Sequence, residues 1–226
     1  MKLFSKLSAV CAVLVLGTAF AAADTVTFGS YGTLLGQDGI GVVPVPGQNT
    51  AVLFGGSATY NIGSDGASVW TPAGPNSSWV SYNPQTGPTG NFVAPNGTYT
   101  YTTTFTVDGG LYSGVLNVLA DDTTNVFLDG NLLLPAGVIG SDAHCADGTP
   151  NCVLAGAATF NNTFLASGVH TLTFNVMQTG LVYQGLDFYG SISTGSPVPE
   201  PGTLMLLGTG LIGSAGTLMR RMRAAR

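Results

Sequence analysis

The residues of this chain whose types and spacing suit chemistry are two cysteines, a set of aspartates, two histidines and three aromatic residues near loops. Cys145 and Cys152 enclose Asp147-Gly148-Thr149-Pro150. A disulfide between them would stiffen a short loop and stabilise the fold by about 2–3 kcal/mol on the loop-entropy account. With His144 alongside, the same pair offers three zinc ligands, but a structural zinc site needs a fourth and none is apparent. Asp121 and Asp122 close an apolar run, and Asp129 follows at a turn. Carboxylates so placed, together with backbone carbonyls, suit calcium, although the spacing lacks the central Gly of an EF-hand loop. The alternative is that these aspartates serve local hydrogen bonding at strand ends and turns. Trp70, Trp79 and Tyr82 lie in or beside Pro/Ser/Asn-rich stretches, where flat rings either stack on sugars or pack the rim of a core. His170 falls in phase with Leu172, Phe174 and Val176, which places it on an inner strand face as a structural histidine.

Charge narrows the chemistry further. Only 8% of the residues are charged, against about 25% in an average protein. All six basic residues sit at the ends, as Lys2, Lys6, Arg220, Arg221, Arg223 and Arg226, whereas residues 7–219 hold ten Asp and one Glu. Nucleic acid is thereby excluded as a partner, because its affinity comes from Lys and Arg on phosphates. A cationic clamp for an anionic substrate is excluded on the same ground. No Gly-x-Ser-x-Gly elbow, phosphate loop or His-rich metal motif is present, and nothing selects one aspartate pair as the two carboxylates of a glycosidase. The chain reads as non-enzymatic.

The two ends read as targeting segments. Lys2 and Lys6, the apolar Leu7–Phe20 run and Ala21-Ala22-Ala23 make the three parts of a secretory signal peptide over residues 1–23, a substrate of signal peptidase. Cys11 leaves with it. At the other end Pro201–Met219 carries no charge. Its Thr203–Met219 core, at ~1.5 Å per residue, reaches roughly 25 Å as a short transmembrane helix. The Arg cluster after it would stay cytoplasmic, leaving residues 24–196 outside.

Pro197-Val198-Pro199-Glu200-Pro201-Gly202, then a Leu/Gly-rich span, then Arg220-Arg221, closely resembles the PEP-CTERM sorting signal of Gram-negative bacteria, here over 197–226. That resemblance implies processing near Pro199, Glu200 and Pro201 by an exosortase. It also implies anchoring in the inner membrane beforehand and a final place in the cell envelope or extracellular exopolysaccharide matrix. Prolines on both sides of Glu200 hold such a linker extended, where a protease can reach it.

The elements that must position the candidate residues lie in between. No stretch of 24–196 sustains a helical period, but alternation is frequent. Tyr99, Tyr101, Thr103, Phe105 and Val107 share one face and Thr100, Thr102, Thr104 and Thr106 the other, as in a half-buried antiparallel strand. Residues 171–176 repeat the pattern. Further strands are expected at 25–29, 51–60, 78–82, 112–120, 124–128, 131–134, 157–165 and 186–192, with Asp129-Gly130 closing a tight hairpin. The fold class expected is all-β: one β-sandwich, jelly-roll-like, between an N-terminal signal helix and a C-terminal transmembrane helix.

The order Ser78-Trp79-Val80, Gly97–Phe105, Leu119-Ala120-Asp121-Asp122, Val126–Gly130 and Gly168–Phe174 resembles the galactose-binding-like jelly roll of secreted carbohydrate-binding modules. The expected function is therefore an exported, exosortase-processed envelope or matrix protein with a structural or adhesive role and no cofactor. The alternative is a carbohydrate-binding module that takes neutral polysaccharide on Trp70, Trp79 and Tyr82, with or without calcium at Asp121, Asp122 and Asp129.

Overall fold

The computed structural model describes residues 23–36, 44–45, 47–63, 69–140, 145 and 147–195. The expected signal helix, transmembrane helix and sorting motif, and His144, lie outside them. Asp24–Gly195 forms one compact unit. Its strands are β1 (Thr25–Gly29), β2 (Leu34–Leu35), β3 (Leu53–Phe54), β4 (Ser57–Ala58), β5 (Tyr60–Gly63), β6 (Trp79–Ser81) and β7 (Gly97–Val107). They continue as β8 (Gly110–Asp121), β9 (Thr123–Leu128), β10 (Asn131–Leu134), β11 (Gly156–Leu165), β12 (Gly168–Gln178) and β13 (Gly185–Thr194). The strands expected from alternation all form. Residues 51–60 differ in making three short pieces, because Gly55 and Gly56 turn the chain at φ +53° and +82°, a conformation that glycine adopts without penalty. The hairpin at Asp129-Gly130 forms as expected, with φ of 49° and 80°.

Two sheets face each other. One runs β11-β8-β13-β6-β5-β2, with β1 also on β13; the other runs β10-β9-β12-β7-β3-β4. Pairing is antiparallel except between β2 and β5. β12 lies along the whole of β7, from Gly168 opposite Val107 to Gln178 opposite Gly97. Alternation then sends Tyr101, Phe105, Leu172, Phe174 and Val176 inward, and all are buried. From the other sheet come Phe28, Leu116, Val118, Phe160, Phe188 and Ile192. Phe174 and Phe188 stack across the interface with centroids 4.6 Å apart, and the Phe28 ring meets Phe105 edge-on at 5.3 Å. A second, smaller cluster gathers Ile62, Trp70, Trp79, Leu119 and Cys152. The chain passes between the sheets at one corner, since β8 ends at Asp121 in one sheet and β9 begins at Thr123 in the other.

Removing a ring from the inter-sheet stack should leave a void that neither sheet can close. Phe174→Ala is expected to cost about 3–5 kcal/mol, seen as a drop of the thermal midpoint by about 2–4 °C per kcal/mol. Denaturant melts that show less than about 1 kcal/mol lost would contradict this packing.

Candidate functional site

The corner between the sheets positions the most unusual side chains. Asp121 and Asp122 are both buried. Asp122 accepts at one oxygen, Oδ2, from the Thr179 N–H and hydroxyl, each at 2.6 Å, while its own N–H donates to the Met177 carbonyl at 2.8 Å. It thereby ties the start of β9 to the end of β12. Asp121 Oδ2 accepts from the Trp70 indole N–H at 2.6 Å, and Asp121 Oδ1 has no partner. Burial, then the neighbouring Asp122 carboxyl, push the Asp121 carboxyl up to about 8 against the pull of the Trp70 donor. The shift favours its neutral, protonated form, the cheaper state for a carboxyl in a dry site without a cation.

Cys145 and Cys152 form the expected disulfide, so no thiolates are free for zinc. A carboxylate oxygen of Asp121 and the two sulfurs lie within 4.8 Å of one another. Cys152 is fully buried and Cys145 half-buried.

The two tryptophans are core residues. Trp70 is 3% exposed and Trp79 1%, their rings lie 4.3 Å apart, and Trp79 donates its indole N–H to the Thr71 carbonyl at 2.9 Å. Their faces are spent on each other and on Leu119 and the disulfide, so neither offers a platform to a sugar. Tyr82 differs. It is half-buried and stacks on Tyr99 at 4.9 Å and 17°, with Phe54 at 5.1 Å and Phe92 edge-on at 6.2 Å. Burial raises its hydroxyl pKa, and the hydrogen bond to Tyr99 raises it further. Phe54, Phe92 and Tyr99 are thus aromatic neighbours that spacing did not point to; the only signal was the tyrosine alternation in β7.

The three aspartates expected at a calcium site do not gather. Asp122 and Asp129 lie at opposite ends of β9, about 20 Å apart at ~3.3 Å per residue. Asp129 is instead held by His170. His170 Nδ1 lies 2.6 Å from Asp129 Oδ2 and Nε2 lies 2.8 Å from the Ala166 carbonyl, while Asp129 Oδ1 accepts from the Thr171 N–H at 2.9 Å. Both ring nitrogens face acceptors, so the ring satisfies both only as imidazolium. Burial opposes that charge, but the Ala166 carbonyl and Asp129 outweigh it and raise the His170 pKa. Burial likewise opposes the Asp129 charge, yet the Thr171 N–H and His170 bring its pKa down. The expectation of a structural, satisfied histidine holds.

Beyond the described residues, the terminal stretch that includes Pro199, Glu200 and Pro201 matches a known sorting signal. Residues 197–223 carry a PEP-CTERM protein-sorting motif. A PEP-CTERM motif implies export, membrane anchoring and processing by an exosortase. No curated protein matches the chain. Among solved structures, a family 35 carbohydrate-binding module from Paenibacillus barcinonensis is similar at 13% identity and TM-score 0.31, over 64% of this chain and 93% of that one. A family 35 module from Clostridium thermocellum is similar at 12% identity and TM-score 0.29, over 63% and 98%. A cycloisomaltooligosaccharide glucanotransferase from Paenibacillus sp. is similar at 18% and 0.29, over 59% of this chain but only 16% of the enzyme. Likeness at that distance says nothing of what this chain binds.

The His170–Asp129 pair carries a pH signature. A raised histidine pKa stabilises the fold fully below the ordinary value near ~6.5 and loses that contribution as pH rises through the folded value. The lowered Asp129 pKa acts in the opposite direction: its contribution is present above the ordinary carboxylate range and fades as pH falls through the folded value. Thermal melts from pH 5 to pH 9 should therefore show the native chain losing its advantage over Asp129→Asn as pH rises. A gap between the two that stays constant with pH would contradict the ion pair.

Proposed function

We propose that the chain is an exported cell-envelope or extracellular-matrix protein, trimmed by an exosortase at Pro199-Glu200-Pro201, whose β-sandwich has a structural or adhesive role and performs no catalysis. The observation that carries this reading is the PEP-CTERM motif at 197–223, whose arginines come after a stretch free of Lys and Arg from residue 7 to 219. Such a segment repels polyanions and suits neutral or weakly acidic surroundings. The non-catalytic reading rests on how its aspartates are used. Asp187 is fully buried and accepts from the Ser30 hydroxyl at 2.7 Å and the Gly74 N–H at 2.9 Å; Asp122 ties two strands; Asp129 closes a hairpin onto β12. Each is engaged in holding the sandwich together.

Removing 197–226, or the Glu200→Ala change, is expected to alter both the mature mass and the final location. Intact-mass analysis of fractionated cells measures both. Identical processing in a strain without exosortase would contradict the reading.

A second reading, recognition of a neutral polysaccharide, is favoured by the partly exposed array of Phe54, Tyr82, Phe92 and Tyr99. Aromatic planes of this kind stack on sugar rings. Tyr82→Ala is expected to abolish retention on neutral polysaccharide in affinity electrophoresis, run with and without calcium, while the melting temperature moves little. Retention unchanged by Tyr82→Ala and Phe92→Ala together would remove the array from consideration.

A further inference from the structure

The disulfide loop and the corner aspartate form an arrangement that neither the sandwich nor the sorting motif requires. Cystine sulfur and a carboxyl group are brought together, a carboxylate oxygen of Asp121 and both sulfurs lying within 4.8 Å of one another. The carboxyl is fully buried, is oriented by the Trp70 indole N–H at Oδ2, receives no donor at Oδ1, and has the Asp122 carboxyl as its hydrogen-bonding neighbour. An orphaned buried oxygen is a cost that folded proteins rarely leave in place without a use. The two sulfurs are also unequal, because Cys152 is closed off while Cys145 is partly open to solvent.

We propose that Cys145–Cys152 is an exchange-competent disulfide that takes a dithiol as its reductant, with Asp121 as the proton donor to the buried sulfur. A thiolate of the dithiol, its proton already lost to solvent, attacks Cys145 Sγ. The S–S bond breaks and its electron pair leaves on Cys152 Sγ, which takes the Asp121 proton. The second thiol of the dithiol then attacks the mixed disulfide and gives its proton to the departing Cys145 sulfur. Asp121 recovers a proton from solvent. The dithiol is oxidised to its disulfide and the cystine is reduced to two thiols, two electrons and two protons having passed across. In the reverse direction an external disulfide oxidises the pair, and the Asp121 carboxylate accepts the Cys152 proton.

The geometry favours this division of labour for two physical reasons. Exchange is faster when the leaving sulfur is stabilised as it departs, and a thiolate released into the closed Cys152 site has no water to solvate it. A neutral acid with an oxygen within 4.8 Å of that sulfur removes the penalty by giving up its proton. The surroundings of the acid favour its protonated form. Asp122 adjoins it in the chain and Asp147 approaches from the disulfide loop, each disfavouring a second negative charge, while Trp70 offers only a neutral donor. Among the described residues, Tyr183, edge-on to Trp70 at 6.4 Å, and Tyr60 and Tyr189 are further titratable groups packed on this cluster. This inference stands apart from the proposed export and from glycan binding.

The test is reduction of the folded full-length protein by dithiothreitol from pH 5.5 to 9.5. Thiols are trapped by alkylation and counted by mass, and each rate is divided by the thiolate concentration. The native chain should show a normalised rate that falls as pH rises and Asp121 ionises. Asp121→Asn should be slower at low pH by about a hundredfold, the lower end of what a positioned acid supplies, with a flat profile. Trp70→Phe removes the donor that favours the charged carboxylate, so its break should move to higher pH; it serves if Asp121→Asn does not fold. The proposal is overturned if both variants keep the native profile. It is equally overturned if the disulfide is reduced only at the rate of global unfolding.

Discussion

A buried carboxylate in this domain has no Lys or Arg to pair with, and much of the structure answers that one constraint. The described aspartates are held by neutral donors instead. Asp187 is solvated by Ser30 and the Gly74 N–H, and Asp122 by Thr179. Asp24 takes the Asp108 N–H at 3.0 Å and the Tyr112 hydroxyl. Burial raises the Asp187 pKa while the donors around it, Ser30 and the Gly74 N–H among them, pull it back, the balance expected where hydrogen bonds replace a counter-charge. Ser and Thr are accordingly structural here. Ser30 Oγ also lies 2.7 Å from the Ser78 carbonyl oxygen, so a single hydroxyl brings together β1's end, the approach to β6 and the buried acid of β13.

The exceptions to neutral solvation are the informative places. Asp129 has a cationic partner, and that partner is His170, whose charge depends on pH in the physiological range. Asp121 has one donor, from Trp70, and burial beside the Asp122 carboxyl shifts it toward its protonated form. Both sit where the chain turns: one at the β9–β10 hairpin, the other where β8 gives way to β9 in the opposite sheet. A turn exposes backbone donors that a ladder would consume, which explains why acidic residues concentrate there in a domain without Lys or Arg.

The sandwich was legible because alternation over long strands fixes which face is buried. β7 and β12 each carry a run of inward apolar or aromatic residues, and a one-residue slip would turn those residues to water. Short elements were less legible. β2 has two residues, and the 51–60 run breaks at Gly55-Gly56, whose turn was present in the letters but hidden inside an otherwise strand-like stretch. The site was less legible still. Asp121, Asp122 and Asp129 are close in sequence, yet a strand of six residues carries the last one far from the others. Trp70 and Trp79 lie among loop-forming residues, but each indole finds the other and a buried partner for its N–H.

Residue types and order alone determined the charge segregation, the terminal sorting motif, the all-β class, the disulfide pairing and the inward phase of His170. Each is a local or one-dimensional property: a count, a contiguous motif, a period of two, or two cysteines left to pair. Tertiary structure alone decided that Trp70 and Trp79 belong to a core, that Tyr82 joins Phe54, Phe92 and Tyr99, and that Asp121 lies beside the cystine. Those contacts join segments tens of residues apart. Their burial sets ring exposure and carboxyl protonation, because desolvation depends on what surrounds a group in space rather than on its neighbours along the chain.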